Sequence, residues 1–547
     1  MSSEGVEDRA AAVPVNAGDV VRHCFGRKGR RPRTALLLAT WLGFLPGCAD
    51  TSAPPAAGSF LVRGATIVDG TGSPGFIGSL RVAGGVIAEV AADGGNDALS
   101  PTDNEPVHDG SGLVLAPGFI DTHSHHDSGL QWEPTALAAV SQGITTIVAG
   151  QDGGSRFPLA DFFAALETAP AAVNVASYAG HGPLRLRVMG DDFRREATEG
   201  EVAAMQALLE TELANGALGL STGLEYDPGI YSSTDEVVAL AQTAAANGGR
   251  YISHMRSEDR ALHDAVEEAI GIAERAGLPV QISHFKLAAR GLWGQAADFL
   301  ARLDEARAAG LDITADVYPY EYWQSTMTVL FPERDFNDRE AARYALEELV
   351  APEGMLIGRY GPDPSLEGKT LAEISAERGT DPVTTYLDLI QVSQAARADS
   401  TLDGSESIVA TSMTFDDIAT LIAWPHTNVS SDGGLRGAHP RGFGAYPRVL
   451  GRYMREAGRL GLEEAIHKMT GLAAAHMGLS DRGTLRAGAP ADLVLFDPAT
   501  VIDRSTTAEP HLTAAGIERV WVAGVVVYED GAVTGELPGV VLRRESP

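Results

Sequence analysis

Cysteine is almost absent from this chain. The 547 residues contain two, Cys24 and Cys48, and both precede position 49. The rest of the sequence has no thiol, which excludes disulfide bonds, a cysteine nucleophile and cysteine metal ligands from the main body of the protein. Any catalytic or metal-binding chemistry there must use other side chains.

Lysine is rare, and positive charge is in deficit. The only lysines are Lys28, Lys286, Lys369 and Lys468, so few positions can supply a lysine amine. The formal net charge is −31 at pH 7, which argues against a nucleic acid partner. The imbalance fits a protein with a solvated acidic surface.

The apolar run near the N-terminus is too short to span a bilayer as a stable helix. It covers residues 35–45, follows an arginine-rich segment at 22–33, and leads into Leu45-Pro-Gly-Cys48. This order is typical of a bacterial lipoprotein leader. We expect residues 1–47 to be a cleaved signal peptide and Cys48 to carry lipid, giving an exported, membrane-anchored protein on the periplasmic side of the cell envelope. An uncleaved anchor or a disordered arm is the alternative.

Two segments with short β-like runs flank the rest of the chain. Residues 48–58 are small and proline-containing, as in a flexible tether. Residues 59–115 contain short apolar runs separated by glycine-rich turns, and the same pattern returns at 485–547. We predict that the two ends pair into one small β-sandwich domain. Separate terminal appendages are the alternative.

Between these flanks, apolar runs alternate with predicted helical segments such as 199–214, 234–246, 261–276 and 294–309. The eight predicted strands are 113–121, 144–149, 173–178, 218–222, 251–254, 280–284, 313–318 and 427–432. This alternation predicts an α/β fold, a (β/α)8 TIM barrel, over residues 116–484. The connection between Tyr320 and Thr427 is far longer than an ordinary loop. We therefore predict an inserted subdomain at about 325–410 that acts as a lid.

Histidine and aspartate recur where the predicted strands end. In such barrels, chemistry lies at the C-terminal ends of the strands. The residues at these ends are His123, His125, Asp152, His254, His284 and Asp432. Asp152, His254 and His284 could hold one divalent ion, and His123 and His125 could hold a second or complete the first. Imidazole and carboxylate ligands without thiolate suit Zn²⁺, with Mn²⁺, Co²⁺ or Fe²⁺ as alternatives.

Such a site predicts a hydrolase. A bound divalent ion lowers the pKa of a water molecule from about 15.7 to about 7 and polarises a carbonyl. Asp432 is then placed to take a proton from that water and pass it to the leaving nitrogen. Asp432 could instead be a further metal ligand or the N-cap of a following helix.

Longer motifs around these residues resemble a known family. They include Pro117-Gly-Phe-Ile-Asp-Thr-His-Ser-His125, Tyr251-Ile-Ser-His-Met-Arg-Ser-Glu258, Gln281-Ile-Ser-His-Phe-Lys286 and Asp316-Val-Tyr-Pro-Tyr320. From about Phe60 onward the chain is similar to the amidohydrolase superfamily, and within it to the N-acyl-D-amino-acid deacylases (D-aminoacylases). The resemblance implies zinc-dependent hydrolysis of the amide of a small N-acyl-D-amino acid.

The resemblance also implies substrate contacts and shows one departure. Lys286, Tyr226, Tyr320 and Arg441 match positions that hold the amino-acid carboxylate and the amide, although Arg441 could instead brace a loop. Many members have a cysteine where this chain has Asp152. A carboxylate there can bridge two ions, so one or two ions remain possible.

Other functions also fit these residues. The same residues could hydrolyse another C–N bond, such as that of a dipeptide or a cyclic amide, or deaminate a substrate. A binding protein on a hydrolase scaffold that has lost its activity is the non-enzyme alternative. His181, at the end of the third predicted strand, could line the pocket or simply pack.

Overall fold

The computed structural model describes residues 58–95 and 98–544. The predicted leader, Cys48 and the tether up to residue 57 lie outside these residues, so those expectations stay predictions. Within the two described ranges, no helix has both the length and the apolar character needed to cross a bilayer.

The strands are numbered in chain order. They are β1 (Phe60–Ile67), β2 (Phe76–Ala83), β3 (Val86–Ala92), β4 (Val107–Asp109), β5 (Val114–Pro117), β6 (Phe119–Asp121), β7 (Ile144–Ala149), β8 (Asn174–Ser177), β9 (Ala179–Gly180), β10 (Gly219–Gly223), β11 (Arg250–His254), β12 (Val280–Ile282), β13 (Ile313–Val317), β14 (Tyr322–Ser325), β15 (Met355–Tyr360), β16 (Glu406–Thr411), β17 (Thr427–Val429), β18 (Leu493–Phe496), β19 (Ile517–Val522), β20 (Val525–Glu529) and β21 (Ala532–Val533).

The α-helices are numbered in the same way. They are α1 (Leu137–Val140), α2 (Leu159–Thr168), α3 (His181–Met189), α4 (Glu199–Ala214), α5 (Thr234–Ala246), α6 (Leu262–Ala276), α7 (Ala296–Ala308), α8 (Arg339–Tyr344), α9 (Leu371–Arg378), α10 (Pro382–Ala398), α11 (Phe415–Ala423), α12 (Arg441–Arg448), α13 (Leu462–Met469) and α14 (Gly471–Met477). Short 3-10 and π-helical segments include Met327–Leu330, Ala345–Leu349 and Val449–Glu456.

The two ends of the chain form one nine-stranded sheet, in the order β21-β20-β19-β18-β5-β1-β2-β3 with β4 on β1. The join lies at β5, which is antiparallel to β18 and parallel to β1. The sheet encloses an apolar core in which the rings of Phe60 and Trp521 stack with centroids 5.5 Å apart. The predicted β domain built from both termini is confirmed.

Eight parallel strands form the barrel. β6, β7 and β8 pair in that order. The strands of the second group pair in the order β9, β10, β11, β12, β13 and β17, so β17 lies at its edge beside β13. β9 continues β8 after Tyr178, and this links the two groups. On the other side, Ser124 and Gly433 form a parallel bridge, and the Asp432 amide donates to His123 O at 2.9 Å. The predicted (β/α)8 barrel is confirmed.

The first predicted strand, 113–121, is wrong as one unit. Residues Val114–Pro117 belong to the terminal sheet and Phe119–Asp121 to the barrel. The change occurs at Gly118, whose amide donates to Asp492 O at 2.8 Å. A Cβ at Gly118 would lie 2.2 Å from Thr145 Cγ2, so only glycine allows this close crossing between the two sheets.

Local sequence signals explain the outer helices. The Thr198 side chain accepts from the Glu201 amide, and the Glu201 carboxylate accepts from the Thr198 amide at 2.8 Å. This capping box starts α4 at the predicted residue. In α6, the buried side chains recur every three or four residues, which directs one apolar face toward the barrel strands.

The long connection is an inserted unit. β14, β16 and β15 form a three-stranded antiparallel sheet, and α8 to α10 also belong to the inserted segment. Trp323 of β14 and Ser407 of β16 line a cavity together with residues from the barrel mouth. The predicted lid is confirmed, and it covers the C-terminal ends of the barrel strands.

Candidate metal centre

Six polar residues converge at the barrel mouth because parallel strands end on the same side. They follow or end β6, β7, β11, β12 and β17. Their ligand atoms form two groups, each with all atoms within 4.8 Å of one another: His123, His125, Asp152 and Asp432; and Asp152, His254 and His284. The structure therefore brings together every predicted ligand and the predicted acid–base residue.

Asp152 belongs to both groups. Its Oδ1 lies 3.4 Å from His123 Nε2 and 3.1 Å from His284 Nε2, and its Oδ2 lies 3.2 Å from His125 Nε2. His254 completes the second group, with its Nδ1 3.1 Å from His284 Nε2. A carboxylate in this position can serve one ion or bridge two.

The backbone is strained at the site. Asp152, His284 and Asp432 adopt φ values of +52°, +32° and +48°. Non-glycine residues rarely adopt this region, and such strain costs on the order of 1–3 kcal/mol per residue. It persists because neighbouring strands fix the backbone. The Asp432 amide, for example, donates to His123 O. Strained residues in one cluster indicate a functional constraint.

The donor set fits a divalent cation. Both ring nitrogens of His123 are fully buried and have no hydrogen-bond partner among the described residues, an arrangement that costs free energy unless a cation accepts the lone pair. Burial lowers the pKa of His125, but hydrogen bonds to Asp152 and Asp432 outweigh it and raise that pKa to about 10. The carboxylates thus favour positive charge among the imidazoles, and protons compete with a metal for those nitrogens.

A buried carboxylate beneath the site holds three strands in place. Asp316 accepts from the His284 amide at 2.9 Å, from Gln281 Nε2 at 2.7 Å and from Ser430 Oγ at 2.7 Å. Its side chain is completely buried. These bonds fix the ends of β12, β13 and β17 relative to one another, and so fix His284 and the turn before Asp432.

Asp432 directs one carboxylate oxygen toward His125 and the other toward Arg441. Oδ1 lies 3.2 Å from His125 Nε2, and Oδ2 lies 2.6 Å from Arg441 Nη1. Burial raises the pKa of this carboxyl, but Arg441 and His284 outweigh burial and hold the pKa well below its usual range. The first helix after Asp432 is α12, which begins at Arg441. Asp432 is therefore not a helix N-cap.

Lys286 and Arg441, two of the predicted substrate contacts, line the cavity. Lys286 Nζ donates to both oxygens of Glu258 at 2.7 and 2.6 Å and lies 2.8 Å from His284 Nδ1. The Arg441 guanidinium lies over the Tyr318 ring, 4.8 Å from its centroid. Arg441 therefore both braces Asp432 and faces the cavity.

Tyr226 lines the cavity, but Tyr320 does not. The Tyr320 side chain is fully buried, and its hydroxyl donates to Asp503 Oδ2 at 3.3 Å. The alternation of side chains between the two faces of β13 ends with the strand at Val317. A tight turn follows, in which the Tyr320 amide donates to Tyr318 O at 3.1 Å. The turn directs Tyr320 away from the site.

Sequence reasoning missed Tyr318, Glu225 and Glu258. The Tyr318 hydroxyl is buried and has no hydrogen-bond partner among the described residues, although Lys286 Nζ lies 5.8 Å from the ring centroid. Glu225 accepts from His254 Nε2 at 2.9 Å. Their signal was position: Glu258 and Tyr318 lie within the quoted motifs, and Glu225 lies two residues after the end of β10.

His181 has a packing role. It is fully buried at the start of α3, and its Nε2 lies 2.8 Å from Glu236 Oε1. Arg185 donates to the same carboxylate at 2.6 Å. His181 also borders a small cavity of about 190 Å³ beside Asp152, separate from the main one.

The main cavity has a volume of about 340 Å³, which is within the range of small-molecule sites. Part of its lining is formed by Asp152, His254, His284 and Asp432, and another part belongs to the insert. The site therefore combines a metal-binding wall with enough space for a small amide.

Comparisons with known proteins agree with this geometry. A model described as amidohydrolase family matches residues 107–355 and 363–528. An N-acyl-D-aspartate deacylase of Alcaligenes xylosoxydans xylosoxydans is 38% identical over 515 residues, covering 89% of this chain and 95% of that protein. A solved D-aminoacylase superimposes with a TM-score of 0.77 at 36% identity, covering 89% of this chain and 99% of that one. The N-acyl-D-glutamate deacylase of Bordetella bronchiseptica was solved with zinc and a phosphonate inhibitor. It superimposes with a TM-score of 0.78 at 34% identity, covering 89% of this chain and 100% of that one.

Proposed function

Because the chain belongs to the amidohydrolase family, we propose that it is a metal-dependent hydrolase that cleaves the amide of N-acyl-D-amino acids. The observation that carries this proposal is the convergence of four imidazoles and two carboxylates, from five strands, around the shared carboxylate of Asp152. The three similar proteins described above are deacylases of this class.

A divalent metal would be held by this chain's histidines and Asp152. His123, His125, His254 and His284 supply imidazole nitrogens, and Zn²⁺ suits this set without thiolate. A bound divalent ion supplies an activated water and polarises the amide carbonyl. The oxygens of Asp152 face different histidines, so the set can hold one ion or two.

Asp432 moves the proton. Its carboxylate is ionised at neutral pH, since Arg441 and His284 hold its pKa well below the usual range. When water attacks the carbonyl carbon, Asp432 accepts a proton from it and passes that proton to the leaving nitrogen as the C–N bond breaks. Arg441, 2.6 Å away, fixes the position of the carboxylate during the transfer.

The substrate carboxylate is recognised on the same side of the cavity. Lys286 and Arg441 carry positive charge and line the cavity. Behind them, the Tyr318 ring lies 5.8 Å from Lys286 Nζ and 4.8 Å from the Arg441 guanidinium, and its buried hydroxyl has no hydrogen-bond partner among the described residues. Arginine can bind a carboxylate with two hydrogen bonds. Tyr226, whose ring centroid lies 4.4 Å from that of His254, borders the space for the amide.

The proposal is tested with N-acetyl-D- and N-acetyl-L-amino acids, using zinc-loaded and chelator-treated protein. We expect release of free D-amino acid that requires the metal, and much slower release of the L-enantiomers. Absence of turnover with every N-acetyl-D-amino acid would overturn the proposal.

A dipeptidase is the second candidate, because Glu225 and Asp259 line the cavity and could pair with a free amino group. Dipeptides with a D-residue at the C-terminus therefore belong in the same assay. Faster cleavage of these dipeptides than of the matching N-acetyl compounds would favour this candidate.

We also propose that the protein is exported and anchored by lipid at Cys48, which the arginine-rich segment, the apolar run 35–45 and Leu45-Pro-Gly-Cys48 support. Expression of the full chain in a bacterium with an alkyne-tagged fatty acid should label the protein. The variant Cys48→Ser should be unlabelled, and equal labelling of the variant would refute the anchor.

A further inference from the structure

The inserted unit contributes no charged side chain to the cavity lining that the structure describes. This insert wall has five apolar residues, which are Trp323 from β14, Val329 and Leu330 from the 3-10 segment, and Leu349 and Val350 at the end of the π-helical segment. Its polar residues are uncharged and are Gln324, Ser325, Thr326 and Ser407. A ligand group that extends toward the insert therefore meets mainly hydrocarbon, with uncharged polar atoms beside it.

The positive charges of the cavity are already matched. Apart from histidines, Lys286 and Arg441 are the only basic residues among those that line it in the described chain. Lys286 pairs with Glu258 at 2.6 Å, and Arg441 pairs with Asp432 at 2.6 Å. These two cations are also the groups proposed above to bind the α-carboxylate of the substrate, so neither is left for a second carboxylate.

The other charged groups in the lining are acidic. Glu225 accepts from His254 Nε2, and Asp259 accepts from Ser257 Oγ at 2.8 Å and from the Arg260 amide. Their carboxylates repel a second anion wherever the substrate places it. An unpaired carboxylate that loses its water against either wall pays a large desolvation cost.

We propose that the substrates are N-acyl-D-amino acids with uncharged, predominantly apolar side chains, and that aspartate and glutamate derivatives are rejected. This inference rests on the proposed function. Family membership does not decide the matter, because the similar proteins include deacylases for D-aspartate and for D-glutamate. The cavity lining decides between these substrates, since an acidic side chain requires a third lysine or arginine, and the described residues that line the cavity include none beyond Lys286 and Arg441.

Three substrates of similar length test the inference. N-acetyl-D-methionine, N-acetyl-D-glutamine and N-acetyl-D-glutamate differ mainly in polarity and charge. With the zinc-loaded enzyme, we expect kcat/KM to fall in that order, with glutamate about 100-fold below methionine. Equal or higher kcat/KM for glutamate, or for N-acetyl-D-aspartate, overturns the inference.

A charge placed on the insert wall gives a second test. Val329→Arg introduces a cation there, and should raise kcat/KM for N-acetyl-D-glutamate about tenfold while lowering it for methionine. Val392→Arg, on the exposed surface of α10, is the matched control and should change neither value. If Val329→Arg leaves the methionine-to-glutamate ratio unchanged, the wall does not face the side chain and the inference fails.

The outcomes separate this inference from the proposed function. A glutamate preference in an active enzyme refutes the inference and leaves the deacylase proposal intact. Absence of activity on all N-acetyl-D-amino acids refutes both. The wild-type panel decides the matter even if Val329→Arg fails to fold.

Discussion

Replacing Asp432 with asparagine should separate proton transfer from metal binding. Asparagine has the same shape and can still accept a hydrogen bond from Arg441, but it cannot accept a proton. The remaining predicted ligands, His123, His125, Asp152, His254 and His284, are untouched. We therefore expect Asp432→Asn to retain zinc and fold while losing most of its turnover.

The expected magnitude follows from the role of the residue. General acid–base catalysis by a positioned side chain contributes roughly 10²–10⁴-fold, so kcat should fall by that factor. KM should change by only a few fold, because Lys286, Tyr226 and Tyr318 are unaltered. Stability should fall by about 1–3 kcal/mol, since Arg441 loses a buried ionised partner 2.6 Å away but keeps a neutral one.

The assay measures steady-state kinetics, zinc content by mass spectrometry and the unfolding temperature of the same preparations. Asp235→Asn is the matched control, because that side chain is 83% exposed on α5, and it should behave as the wild type. Wild-type turnover in Asp432→Asn would refute the proton-transfer role. Loss of zinc together with activity would show instead that Asp432 is an essential ligand.

Three further predictions follow from buried groups. Tyr318→Phe removes a hydroxyl that has no hydrogen-bond partner among the described residues, from a ring packed against Lys286 and Arg441. We expect kcat/KM to fall about tenfold with an unchanged unfolding temperature. Tyr320→Phe should instead cost about 1 kcal/mol of stability with normal kinetics, and the reverse pattern would contradict the placement of these residues. Chelator treatment should abolish activity, and added Zn²⁺ should restore it; activity that survives complete zinc removal would exclude a metal role. Burial lowers the pKa of Lys468 from 10.5 to about 8. The unfolded chain therefore binds more protons than the folded protein between those values, so stability rises with pH across this window, by about 3 kcal/mol. Lys468→Met should flatten this rise in thermal unfolding curves, and an unchanged slope would show that another group causes it.

Local periodicity predicted most of the barrel because alternating strands and helices leave a clear pattern. β7 and the helices α4 and α5 have the bounds expected from the sequence. The six polar residues at the strand ends could also be found, because parallel strands place their C-terminal ends together. No structural coordinate was needed to expect that His123 and Asp432, more than three hundred positions apart, would be neighbours.

The errors arose where a long-range partner determines the local structure. The sequence around Pro117 and Gly118 gives no sign that one apolar run pairs with β18 before the crossing and with β7 after it. The side-chain direction of Tyr320 depends on where β13 ends. Glu258 follows His254 by four residues, a spacing that is common on solvated surfaces. Its burial and its ion pair with Lys286 are visible only in the structure.

The two parts of the cavity lining are built on different units of the fold, so the residues proposed for chemistry and those proposed for side-chain specificity lie on separate units. The metal-binding wall is built on strand ends whose backbone is fixed by the barrel, including the strained Asp152 and Asp432. The opposite wall lies on an insert that packs as its own three-stranded sheet with helices. Asp432 itself contacts Arg441 and the His123 backbone. The insert reaches this pair through β14, because Tyr322 and Gln324 bond to His439, whose Nδ1 accepts from the Arg441 amide. A substitution at Val329, which lies outside that link, should therefore change the accepted side chain without moving Asp432. On this basis, Val329→Arg should alter the order of substrates and leave the metal requirement unchanged, whereas Asp432→Asn should slow all substrates alike.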